Sequence, residues 1–211
     1  MPWGYVEARL GLMAEIHRTT LTPGKLELLT AWLSQQSWYL GGGGDGDAGA
    51  VTPELSRAGG FRLDDPEGEV GIEFAVVRDS AGPEPVAYLV PMAYRSAPLE
   101  GAPAEALIGT AEHGALGTRY LYDGEQDPVV TAQLRALLRG EVVPQAQSES
   151  DTVDPTVTVH GTGSVDGVPV ELSRVLHPAG PDDEPRRHVA AGWTLADDTT
   201  VRGVFARALE G

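Results

Sequence analysis

The chain has 211 residues, enough for one large domain or two small ones with a substantial core. It carries 15 basic and 31 acidic residues, a net charge of −16, which argues against nucleic acid or an anionic membrane as partner because phosphates would be repelled. It contains no cysteine, which excludes disulfides, thiolate metal sites and cysteine nucleophiles. No apolar run approaches the roughly 20 residues of a membrane span, and the N-terminus lacks the pattern of a secretory signal, so we expect a cytoplasmic protein.

The first 21 residues divide at a second methionine, Met13. Residues 1–12 precede it as an awkward extension, and we exclude them from fold reasoning. Residues 14–21 contain isoleucine and two threonines, which favour a short strand.

A helix is predicted over residues 23–37. Thr22 supplies an N-cap and Pro23 occupies the first helical position, where its missing N–H costs nothing. Leucines recur at helical spacing along this segment, and Trp32 is in register with them, which places its side chain in the core. Gly41 is expected to stop the helix.

The middle of the chain alternates between strands and turns. Residues 41–53 are rich in glycine and are predicted to form a loop, as are residues 96–106. Alternating apolar patterns predict antiparallel strands at residues 61–63, 70–77, 86–94 and 115–122. A second helix follows, capped by Asp127, opened by Pro128 and ended by Gly140.

The C-terminal part is predicted to contain only strands. Residues 141–155 are rich in Gln, Ser, Asp and Pro and read as a linker or long loop, which bounds a module at residues 13–140. The rest, residues 156–211, is expected to pack on the same domain because four short strands would struggle to bury a core alone. Its strand-like runs are 156–160, 168–177, 187–195 and 200–209, the last two joined by a hairpin turn at 196–199.

We found no pattern that assigns a catalytic residue, a cofactor or a metal. The glycine loop has Asp45 and Asp47 where a phosphate loop needs lysine, and it lacks the ligand spacing of an EF-hand. The five histidines are scattered singly, without the spacing of a zinc site. Glu112 and His113 are adjacent, but neighbours on an extended segment point to opposite sides, so we expect a loop-tethering histidine.

An aromatic cluster is the most distinctive local feature. Trp38 and Tyr39 stand at the end of the predicted helix, beside a run of glycines that begins at Gly41. Two interpretations stay open for this pair: the aromatic side chains anchor the helix end, or they stack on a sugar ring.

The segment 32–41, Trp-Leu-Ser-Gln-Gln-Ser-Trp-Tyr-Leu-Gly, resembles the Trp-Leu-Pro-x-Gln-Arg-Trp-Tyr/Phe-Ala-Gly-Lys-Gly-Arg stretch of the N-terminal cap of actinobacterial maltokinases. This cap also occurs fused to trehalose synthases. Three further segments support the resemblance in the same order, so that it covers about residues 25–140: they are 88–95, 106–109 and 122–128. Stand-alone cap-like proteins of this kind are often labelled 1,4-alpha-glucan branching proteins.

The resemblance implies an α+β fold in which two main helices pack against a curved antiparallel β-sheet. In maltokinases the cap precedes a kinase body that uses ATP and Mg²⁺ to make maltose 1-phosphate. Ser37 replaces a basic residue of the motif, and residues 41–45 lack the positive charges of its Gly-Lys-Gly-Arg. His160 and Gly161 are followed by threonine, not by the aspartate of a kinase catalytic loop, so no catalytic residue is carried over.

We therefore expect a non-catalytic cap-like protein of α-glucan, maltose or trehalose metabolism that works through contacts with a protein partner or an α-glucan or maltose-type sugar. Two alternatives stay open: an enzyme of glucan metabolism or a degenerate sugar kinase, and an accessory subunit of a separate catalytic chain. The expected contact residues are Trp38, Tyr39, Gly41, Gly42, Tyr94 and Arg95.

Overall fold

The computed structural model describes residues 21–41, 52–147, 152–161, 165–180 and 187–209. These residues form two α-helices, α1 (Lys25–Leu33) and α2 (Pro128–Arg139), and two 3₁₀ turns, Ala104–Ala106 and Gly124–Gln126. The strands up to α2 are β1 (Leu21–Thr22), β2 (Leu55–Leu63), β3 (Gly71–Asp79), β4 (Val86–Arg95), β5 (Leu107–His113) and β6 (Gly117–Asp123). Those after it are β7 (Gln145–Ala146), β8 (Thr158–His160), β9 (Val170–Leu172), β10 (Val175–Leu176), β11 (His188–Thr194) and β12 (Thr200–Ala208).

All of these strands belong to one antiparallel sheet. Its main order is β1-β5-β6-β4-β3-β2-β11-β12-β9, with β10 paired to β4, β7 to β2 and β8 to β11. The α+β fold with a curved antiparallel sheet, two helices and a β-rich C-terminal part is confirmed.

Both faces of the central strands are covered. Alternate residues of β3 point to opposite faces. Ile72 and Phe74 belong to a core that includes the buried side of α2, whereas Ala75 and Val77 belong to a second core beneath α1. The α1-side core also holds Leu29, Trp32, Tyr88, Met92 and Leu121. The prediction that Trp32 is a core residue is confirmed, since only 4% of it is exposed.

The predicted boundaries of the first helix are wrong at both ends. Thr22 does not cap it, because Thr22 lies in β1 opposite Glu112, and Gly24 precedes the first helical residue instead. The helix ends at Leu33, four residues before the predicted end at 37. After it, the side-chain amide of Gln35 donates to the carbonyl of Ala31, so a side chain satisfies one of the last backbone acceptors.

The second helix agrees with its prediction. Asp127 is its N-cap, and the carboxylate accepts a hydrogen bond from the backbone N–H of Val129 at 2.9 Å. Gly140 ends it with φ 73°, a left-handed conformation that glycine adopts at little cost.

Strand β5 was missed, because the sequence around Glu112 and His113 reads as a glycine-bounded loop. The strand bulges near Gly109, where the register against β6 shifts. A Cβ at Gly109 would lie 2.7 Å from Leu28, so this glycine allows α1 to approach the strand. The glycine therefore marks close helix packing and not a loop.

The C-terminal strands continue the sheet of the preceding module. Strand β11 pairs with β2 through Trp193 and Gly59, and β10 pairs with β4. Within the predicted linker 141–155, β7 pairs with β2, so that part is a strand and not a loop. The predicted hairpin turn at 196–199 is confirmed by the pairing of β11 with β12.

Candidate functional site

A polar cleft opens where the α1-facing side of the sheet extends past the first residue of α1. Its volume is about 240 Å³. We call it the Glu73 cleft, and its polar lining consists of Lys25, Arg62, Glu73, Tyr94, His113, Arg119 and Gln147. The cleft draws on β2, β3, β4, β5 and β6 as well as on α1, so residues of several elements meet in it.

Among the residues that the structure describes, Glu73 is the only carboxylate in the lining of this cleft. It alternates with the apolar residues of β3 and points to the same side as Ala75 and Val77, but it lies beyond the part of that face which α1 covers. Only 7% of the residue is exposed. A carboxylate this buried requires partners, because an isolated buried charge is very costly.

The partners of Glu73 occupy both of its oxygens. Lys25 Nζ lies 2.6 Å from Oε1 and 2.6 Å from Oε2. The Tyr94 hydroxyl donates to Oε2 at 2.6 Å, and the amide of Gln147 donates to Oε1 at 2.7 Å. Glu73 is therefore a fully engaged acceptor that holds three other elements of the chain in place.

The charge states of Glu73 and Tyr94 are fixed near neutral pH. Burial opposes ionisation of Glu73, but the charge and hydrogen bond of Lys25, together with the hydrogen bond of Tyr94, outweigh it and lower the pKa of Glu73 below 4.5. Burial raises the pKa of Tyr94 well above 10, and the negative charge of Glu73 raises it further. Glu73 remains a carboxylate and Tyr94 remains a hydrogen-bond donor.

Two arginines at this cleft are not neutralised. Neither Arg62 nor Arg119 has a carboxylate partner among the residues that the structure describes. The Arg119 guanidinium donates to one described group, the backbone carbonyl of Thr118, at 3.1 Å. Since Lys25 offsets Glu73, the local charge is positive in a chain whose net charge is −16.

The first expected contact residues, Trp38 and Tyr39, lie at the other end of α1. The ring centroid of Trp38 is 5.9 Å from Trp32 and 6.0 Å from Tyr88, and the Arg174 guanidinium lies over its ring at 5.0 Å. Trp38 is half-buried among these groups. Its packing is that of an aromatic anchor against the sheet.

Tyr39 and Gly41 form part of the same cluster. The Tyr39 hydroxyl donates to Asp79 at 2.7 Å, and its ring lies 5.6 Å from Tyr88. A Cβ at Gly41 would lie 2.0 Å from the Tyr39 hydroxyl, so only glycine fits there without displacing the tyrosine. Gly42 and the rest of the glycine run to residue 51 lie outside the described residues.

Tyr94 and Arg95 face opposite sides of β4, so the structure does not bring them together. Tyr94 lines the Glu73 cleft, six residues and therefore roughly 20 Å along the strand from Tyr88. Arg95 instead binds Asp127 through two hydrogen bonds of 2.6 and 3.0 Å. It thereby supports the N-cap of α2.

Sequence reasoning missed most of this cleft. Among its residues only Tyr94 was selected. His113 was expected to tether a loop, and its Nδ1 does accept hydrogen bonds from the backbone N–H groups of Ala115 and Leu116 in the turn after β5. The missed signal is Glu73 itself, because an acidic residue within the apolar run 72–77 must be buried with a partner. Arg62 and Arg119 are far from each other in the sequence, so no local pattern predicts that they line the same cleft.

His113 and Glu112 lie on β5 and point to opposite sides, as an extended segment requires. His113 lines the cleft, whereas Glu112 accepts a hydrogen bond from the Thr118 hydroxyl at 2.7 Å. Across the described ranges, no group of three or more His, Cys, Asp or Glu side chains is placed to hold a metal ion. Neither of the two helices is long and apolar enough to span a membrane.

The fold and the sites above define an α+β module whose antiparallel sheet has a helix on each face and a polar cleft beside the first helix. Residues 32–127 match the maltokinase N-terminal cap domain, which supports the family resemblance seen in the sequence. The matched range runs from Trp32 to the N-cap of α2 and contains Trp38, Glu73 and Tyr94. A search of the curated proteins found no match.

Proposed function

We propose that this chain is a non-catalytic cap protein of α-glucan, maltose or trehalose metabolism, and that it acts by binding a sugar-type ligand in the Glu73 cleft. The observation that carries the proposal is the hydrogen-bond network of that cleft, in which Lys25, Tyr94 and Gln147 occupy both oxygens of Glu73. A general acid or base must exchange a proton near the working pH. Glu73 has a lowered pKa and Tyr94 a raised one, so both are suited to holding a ligand and unsuited to moving protons.

The lining of the cleft supports a small polyhydroxylated ligand. Arg62, Arg119 and Gln147 present planar donor groups, which suit the closely spaced hydroxyls of a sugar. The volume of about 240 Å³ lies just below the usual range of roughly 300–1,000 Å³ for ligand pockets and suits a single ring.

The Trp38 end is a weaker candidate for sugar binding. Stacking on a sugar requires a free aromatic face, and one face of Trp38 is already covered by Arg174. We therefore rank the Glu73 cleft ahead of Trp38 and Tyr39 as the ligand site.

The experiment combines a test for turnover with a test for binding. The purified full chain is incubated with MgATP and either maltose or trehalose, and ADP and sugar phosphate are measured. We expect no turnover above the protein-free control. Sugar-dependent ADP formation at a rate proportional to protein concentration would overturn the non-catalytic proposal.

Binding is followed by amide chemical shifts during titration with maltose, trehalose and a short α-glucan. We expect shifts among the residues of the Glu73 cleft, and they should weaken in Arg62→Gln and not in Arg207→Gln. Arg207 is a suitable control because it forms an exposed ion pair with Glu171. Shifts confined to Trp38, Tyr39 and their neighbours would move the site to the other end of α1.

An accessory-subunit role has one observation in its favour. Leu40 is 59% exposed and directly follows the aromatic cluster of Trp38 and Tyr39, so it offers an apolar contact to a protein partner. Pull-down from native cytosol with the wild-type chain and with Leu40→Asp tests this role. A partner recovered by wild type and lost with Leu40→Asp would support it, and equal recovery by both would contradict it.

A further inference from the structure

We propose that the ligand of the Glu73 cleft is an anion: a molecule of single-ring size that carries a phosphate or carboxylate group, which Arg62 and Arg119 bind. The inference deepens the binding function proposed above and rests on it. It follows from the way the charges of the cleft are divided between groups that neutralise one another and groups that do not.

The negative charge at the centre of the cleft is already neutralised. Glu73 receives Lys25 at 2.6 Å and fills its remaining acceptor positions with Tyr94 and Gln147. This leaves a floor of the cleft that is close to neutral and fully hydrogen-bonded. Among the described residues of the cleft, an incoming ligand finds no free carboxylate that could bind a cation or repel an anion at close range.

Arg62 is the first positive charge left over. Its Cα is the cross-strand partner of Glu73 in the β2–β3 pair, so the two side chains leave the same face of the sheet as neighbours. Glu73 nevertheless engages Lys25, and the Arg62 side chain makes no hydrogen bond or ion pair with any described residue. The residue is half-buried, and its charge has no partner among the described residues, which an anionic group would supply.

Arg119 is the second positive charge without a carboxylate partner among the described residues, and it lies on the far side of the cleft from Arg62. It lies on β6, and the sheet order β6-β4-β3-β2 places two strands between it and Arg62. Asp123 of β6 is the residue level with Arg62, and Arg119 lies four residues further along that strand. Three strand spacings and this offset separate the two backbones by roughly 19 Å. The two arginines therefore approach the cleft from opposite walls, with Glu73 and Tyr94 on the floor between them.

The chemistry of the two walls selects the ligand class. Guanidinium groups present paired N–H donors that match the oxygens of phosphate or carboxylate, and such charge-assisted bonds are about twice as strong as neutral ones. The net negative charge of the whole chain opposes the approach of any anion, so the attraction has to come from the two arginines at short range. We expect contacts, and not long-range steering, to set its affinity.

The test is a set of calorimetric titrations of the full chain with four probes: glucose, glucuronate, glucose 1-phosphate and inorganic phosphate. Glucose and glucuronate share a ring and differ in charge, whereas inorganic phosphate carries the charge without the ring. The variants are Arg62→Gln and Arg119→Gln, and Arg207→Gln is the control on an exposed arginine.

We expect glucuronate or glucose 1-phosphate to bind at least about tenfold more tightly than glucose, and each cleft variant to lose most of that preference. The melting temperature should be unchanged in both variants, because neither arginine has an ion-pair partner among the described residues. Raised salt should weaken the binding of the anions and not of glucose.

Equal binding of glucose and its charged analogues, or binding that survives both cleft variants, would overturn the anion proposal and leave the sugar-binding function intact. If inorganic phosphate binds as tightly as glucose 1-phosphate, the proposal that the ligand contains a ring is wrong, whereas the proposed anion site is supported. The absence of binding by all four probes would overturn the anion site, whereas sugar-dependent turnover with MgATP is the separate result that contradicts the non-catalytic function.

Discussion

The ion pair between Lys25 and Glu73 should be among the most stabilising polar contacts of the described structure. Only 20% of the Lys25 side chain and 9% of the Glu73 side chain are exposed, and the pair joins the first residue of α1 to the centre of the sheet. Loss of one member of a buried ion pair costs roughly 3–5 kcal/mol, because the remaining charge is buried without compensation. Since Lys25 retains some contact with water, we expect Lys25→Met and Glu73→Gln each to cost about 3 kcal/mol.

The measurement is urea and thermal unfolding of the full chain, followed by the fluorescence of its four tryptophans. At roughly 2–4 °C per kcal/mol for a chain of this size, each variant should melt about 6–12 °C below wild type at pH 7. Arg207→Gln is the matched control: its ion pair with Glu171 is 47% exposed on both sides, and its loss should cost less than about 0.5 kcal/mol.

The pH dependence separates the two variants. The pKa of Glu73 is lowered by folding, so its ionisation stabilises the native state above pH 4.5, and this contribution is lost as the pH falls through the lower native value. Glu73→Gln should lack that loss. In Lys25→Met the burial of Glu73 is no longer offset by lysine, so the deficit relative to wild type should shrink as the pH is lowered.

A double variant completes the test. Lys25→Met with Glu73→Gln should cost at least about 1 kcal/mol less than the sum of the single variants, because the two side chains interact directly. If both single variants behave like Arg207→Gln, the pair is screened as surface pairs are, and the argument from its burial is wrong.

Three further predictions concern the scaffold. Asp127→Ala should cost about 3 kcal/mol, since it removes the cap of α2 and leaves Arg95 unpaired, and loss of helical circular dichroism at a lower urea midpoint checks it. Tyr39→Phe should cost about 1–2 kcal/mol through the lost bond to Asp79, and an unchanged urea midpoint would contradict it. Gly203→Ala should cost about 1–3 kcal/mol, because the new Cβ would lie 2.3 Å from a backbone carbonyl oxygen, and a melting temperature equal to that of wild type would refute this.

The parts of the fold that could be predicted are those whose signals are local. The cap and stop of α2 are encoded by Asp127, Pro128 and Gly140, three residues within or beside the helix that act through the backbone itself. The hairpin at 196–199 is equally local, with Asp198 in the left-handed conformation that a tight turn requires.

The errors arise where tertiary contacts override local pattern. The helical spacing continues to residue 37, but the chain leaves the helix after Leu33 so that Trp38 can pack on Trp32 and Tyr88. Gly109 suggested a loop, whereas it makes room for Leu28 over a bulged strand. In both places the deciding partner is remote in the sequence or on another element.

The candidate site was mostly beyond prediction for the same reason. Tyr94 was selected through the family resemblance, but the residue around which the cleft is built is Glu73, and its cations come from α1, β2 and β6. No local pattern joins Lys25, Arg62 and Arg119, and only the strand order of the sheet brings them to one place.

On the side away from β3, strand β4 pairs with two different strands. Its last residues, Met92–Arg95, pair with β6, whereas Tyr88 near its start pairs with β10 of the C-terminal part. The backbone N–H of Leu89 also donates to the carbonyl of Arg174. A fragment that stops after α2 would expose this stretch, 86–90, as an apolar strand with unpaired backbone groups. In the full chain, β10 pairs with this stretch and so removes an edge at which aggregation could start. We propose on this ground that the chain is a single folding unit which tolerates truncation poorly.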